Sequence, residues 1–354
     1  VGQVDTQART RILIVKASSL GDIVLALPML RTLRHAYPQA YLAWIVESPF
    51  QDLLHGNPDL DRLFVVDTSS PRRMLVSLSR TIRQVRSEAF DVVVDLQGWI
   101  KSQLFCIVSG ARSMVGLMKH NELGFHILRR GVPFRPGTHM ADLFLEVAAL
   151  LGAGEAQVTF QIPVFEADRR YIGRFLAAVA RDPVAGIAVL QPGTTWKNKR
   201  WSLVKLAEVG RALAARDGFV PVVAWGPGER SDAAEVVRLI GDRGVLAPPT
   251  TIRQLAALLE RSRLYVGTDS GPMHLASALG VPTVGLFGPA DPARFSPYRQ
   301  PARVVRRALP CSPCGLPTCR YHTIECMTSI GVPEVLEAIQ EVDRAAAAIA
   351  RARV

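Results

Sequence analysis

The sequence predicts an α/β protein made of two doubly wound parallel sheets in series, facing each other across a central cleft. Three observations predict it. Short apolar runs alternate with stretches of helical period, and the alternation is completed twice. The chain has 354 residues, beyond the length that one core usually serves. An extended, proline-broken segment, FQIPVFEADRRY, separates the two alternations, and ARDPVAG punctuates the start of the second. The expected organisation is an N-terminal domain over 1–165, a linker over 166–183, a second domain over 184–331 and a C-terminal helix over 332–354.

In the first half, buried strands are expected at Ile12–Val15, Tyr41–Val46, Leu63–Val66 and Val92–Leu96, with helices at Ile23–Tyr37 and Met74–Ser87. In the second half the strands are Gly186–Gln191, Val220–Ala224, Tyr265–Gly267 and Thr283–Phe287. Their helices run near Leu203–Arg216, Ser231–Ile240, Thr251–Arg261 and Met273–Leu279. The alanine-rich end, DRAAAAIARARV, favours a final helix placed to pack back on the N-terminal domain, with a solvated tail as the alternative.

Composition narrows the function. Hydrophobic residues make up 49% and charged residues 21%, a globular balance. No apolar run reaches the ~18 residues of a membrane span, and VGQVDTQART lacks the apolar core of a secretory signal. The cytoplasm is the expected compartment. A formal net charge of +11 predicts anionic partners. Arg72, Arg73, Arg80, Arg83 and Arg86 form one basic stretch, and Arg129, Arg130 and Arg135 another. Solvated helix faces are the alternative reading. No zinc-finger, RNP or basic-zipper pattern supports nucleic acid as the partner.

The segment RILIVKASSLGDIVLALPML, Arg11 to Leu30, outlines a strand, a tight turn and a helix. Its turn is too poor in glycine for a dinucleotide fingerprint and has no GKS or GKT for a P-loop. Asp22 closes that turn at the strand C-terminal edge, where a helix start favours the ionised carboxylate. Such a group suits a general base acting on a sugar hydroxyl. Helix capping is the competing reading.

VGTDSGPMHLASALGVPTVGLFG, Val266 to Gly288, is the richest stretch. Asp269, Ser270, Gly271 and Pro272 form a strand-to-helix turn whose N–H groups and dipole suit a diphosphate. QPGTTWKNKRW offers the Thr194 and Thr195 hydroxyls and the Lys199 ammonium to phosphate oxygens. In WGPGER, Glu229 can accept from ribose hydroxyls or act as a first-turn helix carboxylate. No DxD-type carboxylate pair stands at a strand end, which points to group transfer without a metal.

Taken together, VKASSLGDIVLALP, DLQGWIKS, TTWKNKRW and TDSGPMH resemble, in order, the motifs of the lipopolysaccharide heptosyltransferases of glycosyltransferase family 9. The resemblance runs from Ile12 to about Arg294. It implies a GT-B fold of two Rossmann-like domains, acceptor-binding then donor-binding, and an inverting transfer from ADP-L-glycero-D-manno-heptose with no required metal or other cofactor. By motif position Asp22 resembles the catalytic base, and Thr194, Thr195 and Lys199 the donor-phosphate contacts. Asp269, Ser270, Gly271 and His274 resemble the loop holding sugar and diphosphate, where packing or capping is the alternative for His274. Ser19 and Gly21, with Gln97, Gly98, Lys101 and Ser102, fall on the acceptor side. Trp201 and the Gln97-Gly98 pair look more like the type I enzymes, which add the first heptose to the Kdo region of the lipopolysaccharide inner core. The middle of TTWKNKRW departs from their pattern. The implied setting is the cytoplasmic face of the inner membrane, with peripheral attachment. A second core heptose, a natural product or a protein is the alternative acceptor, and a non-catalytic nucleotide-binding module the alternative of another class.

Cys311, Cys314, Cys319 and Cys326 crowd one loop, where Cys-x2-Cys is metal-like spacing and His322 an extra ligand candidate. A second Cys-x2-Cys knuckle is missing, so reduced thiols are the expectation. Cys106, in an apolar context, reads as core.

Overall fold

The computed structural model describes residues 10–98, 100–118, 130–179, 186–215 and 218–352, apart from the side chains of Ile100 and Lys101. Arg129 and most of ARDPVAG lie outside the described residues. The chain divides into two compact units, Val1–Pro163 and Val164–Val354.

In the first unit β1 (Arg11–Val15), α1 (Leu20–Ala36), β2 (Tyr41–Glu47), β3 (Arg62–Val66), α2 (Pro71–Ser87) and β4 (Val92–Asp95) follow one another. Then come α3 (Ile100–Val108), β5 (Ser113–Met118), β6 (Arg130–Pro133) and α4 (Met140–Leu150). The described strands pair in parallel in the order β3-β2-β1-β4-β5-β6. Helices on both faces bury the strands on both sides, which is why β1 and β4 read as continuous apolar runs. α1 is apolar nearly all round, with Ile23–Leu30 buried, because α4 packs on it with Met140, Leu143, Phe144 and Val147.

The second unit opens with α5 (Glu166–Val179), so most of the segment expected as a linker is helix. Ile172 and Leu176 bury its inner face and Arg169 holds Glu260 with two hydrogen bonds of 2.9 Å. Those contacts give the stretch partners that its polar residues do not announce. There follow β7 (Gly186–Gln191), α6 (Leu203–Ala215), β8 (Phe219–Val223), α7 (Arg230–Ile240), β9 (Val245–Leu246) and α8 (Ile252–Glu260). β10 (Ser262–Thr268), α9 (Gly271–Ala278), β11 (Thr283–Phe287), α10 (Pro292–Phe295), β12 (Ala302–Arg306), α11 (Glu325–Thr328) and α12 (Val332–Ala352) complete it. The parallel order is β12-β11-β10-β7-β8-β9. The C-terminal helix α12, offered by the sequence to the N-terminal domain, places Val335, Ala338, Ile339 and Val342 in the second unit's own core with Leu286 and Val305.

Counted from its own first strand, each sheet has the order 3-2-1-4-5-6, the doubly wound dinucleotide-fold arrangement. The order reverses between β1 and β4 in one unit and between β7 and β10 in the other. Loops leaving the carboxyl ends of those strands part there and leave a crevice, the usual place for a ligand.

Candidate active site

At the first switch point, Lys16 directly follows β1, and its side chain is almost fully buried. Lys16 Nζ donates to Asp22 Oδ2 over 3.2 Å. Asp22 also accepts from the backbone N–H of Ser19, the residue preceding α1, at 3.4 Å and from its hydroxyl at 3.3 Å. Asp22 therefore has both a helix-start role and a buried cation beside it. Ser19 is exposed, and Gly21 is buried in the first turn of α1.

The loop after β4 is organised by Asp95, which is fully buried. Its Oδ1 accepts from the N–H groups of Gln97 (2.9 Å) and Gly98 (3.0 Å), and its Oδ2 from the Ser102 hydroxyl (3.0 Å). Gly98 at φ +70° takes a left-handed conformation that glycine adopts without strain. Gln97 Oε1 in turn accepts from Ser18 N–H at 3.3 Å, joining the two loops. Burial raises the Asp95 carboxyl above its ordinary range, against the opposing pull of Gly98, Ser102, Gln97 and the Lys16 ammonium. The side chain of Lys101 lies outside the described residues.

The second switch point is tighter. Lys199 Nζ, in the loop after β7, donates to Asp269 Oδ2 at 2.6 Å, and His274 Nε2 lies 3.5 Å from Asp269 Oδ1. Burial alone would raise the Asp269 carboxyl; the hydrogen bond from His274 and the charge of Lys199 outweigh it and hold the group below its usual range. Lys199 also sits 4.4 Å from the centre of the Trp196 ring. An ammonium has three donors, so one bond to Asp269 leaves capacity for a ligand oxygen. Ser270 precedes the first turn of α9, which Gly271 opens, and His274 is buried one turn on. His274 Nδ1 and Thr268 Oγ1 are buried without a hydrogen-bond partner among the described residues, a costly state for groups of this kind.

Thr194 is buried and Thr195 exposed in the same loop. Glu229 precedes α7, but its carboxylate turns back, accepting from Gly226 N–H at 2.8 Å and Gln191 Nε2 at 3.1 Å. It lies so close to Gly193 that a Cβ there would stand 1.9 Å from Glu229 Cδ. The carboxylate thus belongs to the β7 loop as much as to its own helix.

Thr194, Lys199, Glu229, Asp269 and His274 are all borne on loops or helix starts at the ends of β7, β8 and β10, and Asp22 and Gln97 on those of β1 and β4. Lys16, Asp95 and Asn198 are participants that motif reading passed over. For Lys16 the signal was a lysine ending an apolar run, and for Asp95 a carboxylate in the same position. Asn198 is buried and donates to the Leu316 carbonyl at 2.8 Å, so the cysteine loop props the Lys199 loop.

Cys311, Cys314 and Cys319 in that loop, and Cys326 in α11 after it, are free thiols. Backbone N–H groups, Ile324 and Tyr321 foremost, hold the Cys319 thiol below its ordinary range. Among the described residues no group of three or more His, Cys, Asp or Glu is placed to hold a metal ion. Cys106 is fully buried, and burial pushes its thiol far up.

The model of glycosyltransferase family 9 (heptosyltransferase) matches residues 78–325, more than half of the chain. The chain belongs to glycosyltransferase family 9. The matched span holds Asp95, Gln97, Lys199, Glu229, Asp269 and His274, and Asp22 precedes it. This family 9 chain is 29% identical to lipopolysaccharide heptosyltransferase 1 of Pseudomonas aeruginosa over 328 residues, covering 89% of each. It is 25% identical to lipopolysaccharide heptosyltransferase 3 of Escherichia coli K12, covering 79% of this chain and 83% of the relative. Among solved structures, a family 9 glycosyltransferase from Veillonella parvula shares the fold at a TM-score of 0.81 and 23% identity, covering 94% of this chain and 97% of that one. The fold class is GT-B, and the chain is a glycosyltransferase of the heptosyltransferase family.

Proposed function

We propose that this family 9 glycosyltransferase transfers L-glycero-D-manno-heptose from ADP-heptose to the Kdo region of a lipid A-type acceptor, with inversion and without a metal ion. The observation that carries the reading is the Lys–Asp pairing at each switch point: Lys16 with Asp22 in the first unit, Lys199 with Asp269 in the second. The first supplies a carboxylate held in place by a buried ammonium, and the second an ammonium held in place by a buried carboxylate.

In the proposed reaction the acceptor hydroxyl attacks the anomeric carbon of the donor while Asp22 takes its proton. The bond from that carbon to the diphosphate oxygen breaks, and ADP leaves with the bonding pair. Negative charge grows on the departing oxygen, and Lys199 with the N-terminus of α9 stabilises it there. Thr194 and Thr195 are the proposed hydroxyl donors to the phosphates, and Glu229 the acceptor for ribose. Ser270, Gly271 and His274 complete the donor side, and the unpaired Nδ1 of His274 supports a ligand contact in that turn. Ser19, Gly21, Gln97, Gly98 and Lys101 are proposed on the acceptor side. The relative from P. aeruginosa, a lipopolysaccharide heptosyltransferase 1, supports the type I acceptor. The proposed location is the cytoplasmic membrane face, attached peripherally; no helix among the described residues is long and apolar enough to cross a membrane.

The test is transfer by purified protein from each ADP-heptose epimer to Kdo2-lipid A and to an already heptosylated core, with and without EDTA. Heptose added to Kdo2-lipid A in the presence of EDTA is the expected result. Transfer only to the heptosylated core would overturn the acceptor, and chelator-sensitive transfer rescued by Mg²⁺ would overturn metal independence.

A further inference from the structure

Helix α2 carries Arg72, Arg73, Arg80, Arg83 and Arg86 and no carboxylate. Its inward face is set by Met74, Leu78, Ile82 and Val85, which pack in the first unit's core. Such a core stripe leaves the opposite face to solvent. That face is not purely polar: Leu75 is 63% exposed and Val76 54% exposed. Arg72, Arg73, Arg80 and Arg83 lie three, four or seven residues from Val76, so on a helix they surround it. The neighbouring α3 adds exposed Leu104 and Ile107, and a cleft at the C-terminal ends of the two helices is lined by Arg86, Arg112 and Ile107 together with Asp91.

We propose that this α2–α3 face docks on an anionic lipid bilayer, Leu75 and Val76 entering the headgroup boundary while Arg80 and Arg83 engage lipid phosphates. Interfacial helices have this composition: apolar side chains for the acyl boundary, and arginines whose long stems reach phosphates on either side. Charge complementarity selects the occupant. A second copy of this chain would set five arginines against five, and a nucleic acid would leave Leu75 and Val76 without a partner. The choice of membrane rests on the proposed function, whose acceptor is a lipid. Placement agrees with it. α2 follows β3, so its first turns leave the sheet at the carboxyl-terminal edge, the edge that bears Asp22, two strands away in the order β3-β2-β1. A bilayer meeting that end of α2 brings a lipid-anchored hydroxyl to the same edge.

The experiment is flotation of the whole protein with vesicles of phosphatidylcholine alone or with about 30 mol% phosphatidylglycerol, an anionic surface of the kind that attracts polybasic segments. Wild type is expected to float with the anionic vesicles at low salt, to be released by high salt and to ignore neutral ones. The double variants Leu75→Ser/Val76→Ser and Arg80→Gln/Arg83→Gln are each expected to lose about ten-fold or more in partitioning. All four positions are on the solvent side, and unchanged melting temperatures confirm that both variants fold. No donor or turnover enters the readout. Transfer to a water-soluble, delipidated acceptor, measured in parallel, is expected to be unchanged in both variants and reports separately on the proposed reaction. Equal partitioning of wild type and variants, or no binding by wild type, overturns the proposal. Loss in the arginine variant alone also overturns it, since the face would then be a polyanion contact and not a lipid one.

Discussion

Lys16 Nζ lies 3.2 Å from Asp22 Oδ2, with the lysine side chain buried and the aspartate only partly so. The ammonium comes from the first residue after β1 and the carboxylate from the first turn of α1, so the pair fixes the strand-to-helix corner. Lys16→Met removes the cation that faces both Asp22 and the buried Asp95. Because Asp22 is partly open to water, losing this partner costs about 1–3 kcal/mol, less than a fully buried pair would. The expected result is a lower melting temperature together with a fall in kcat at unchanged donor affinity. An unchanged kcat would show that Asp22 needs no such support.

Asp22→Asn keeps the shape of the corner and removes the proposed base. A drop of ~10²–10⁴ in kcat is expected, with ADP-heptose affinity by calorimetry near wild type. Wild-type kcat in this variant would leave Asp22 as a helix-start residue only.

Lys199→Ala removes positive charge where the diphosphate is proposed to depart. Its kcat should fall by ~10²–10³, more than its donor KM rises, by analogy with lost oxyanion donors. Lys199→Arg should recover only part, because a planar fork does not place its charge as an ammonium does. A small, salt-dependent KM change with kcat intact would instead mark Lys199 as a general anion attractor.

The Asp269 carboxyl, held below its usual range by His274 and Lys199 against the effect of burial, contributes to stability with a definite sign. The contribution is fully present above the unfolded-state value of about 3.9 and is lost as pH falls through the lower folded value. Urea unfolding of wild type and Asp269→Asn should therefore differ most at neutral pH, and the difference should shrink in strong acid. A gap of the same size at both pH values would contradict the assignment.

Gly193→Ala would bring a Cβ to 1.9 Å from the Glu229 carboxylate carbon. The side chain must swing out, and if it holds the donor ribose, donor KM should rise about ten-fold, the equivalent of one good hydrogen bond. Donor KM equal to wild type would remove Glu229 from the donor site.

The inner strands were legible because they are buried on both faces: Ile12–Val15 and Val92–Val94 are unbroken apolar runs. Of the edge strands, β3 was legible in Leu63–Val66, but β6 and β9 were not: β6 (Arg130–Pro133) is short and mixed in polarity, and β9 has only two residues, Val245–Leu246. α5 was hidden for a different reason: it holds few buried positions, and part of what fixes it is the ion pair with Glu260, distant in sequence. In the site, loop residues with unusual chemistry stood out, as Asp22, Lys199 and Asp269 did. Lys16 and Asp95 did not, since nothing local says that a charge beside a strand end is buried and hydrogen-bonded to the turn that follows it.

Both sheets share one strand order and both crevices are assembled from loops of the same two strand positions. Each crevice is therefore encoded on its own: the loops after β1 and β4 lie before Pro163 in the chain, and those after β7 and β10 beyond Val164. Under the proposed division of labour, a lineage can exchange acceptors by drifting in its first hundred or so residues while the nucleotide-sugar half stays fixed. The same independence makes such chains natural material for recombination, with Pro163 and Val164 as the junction.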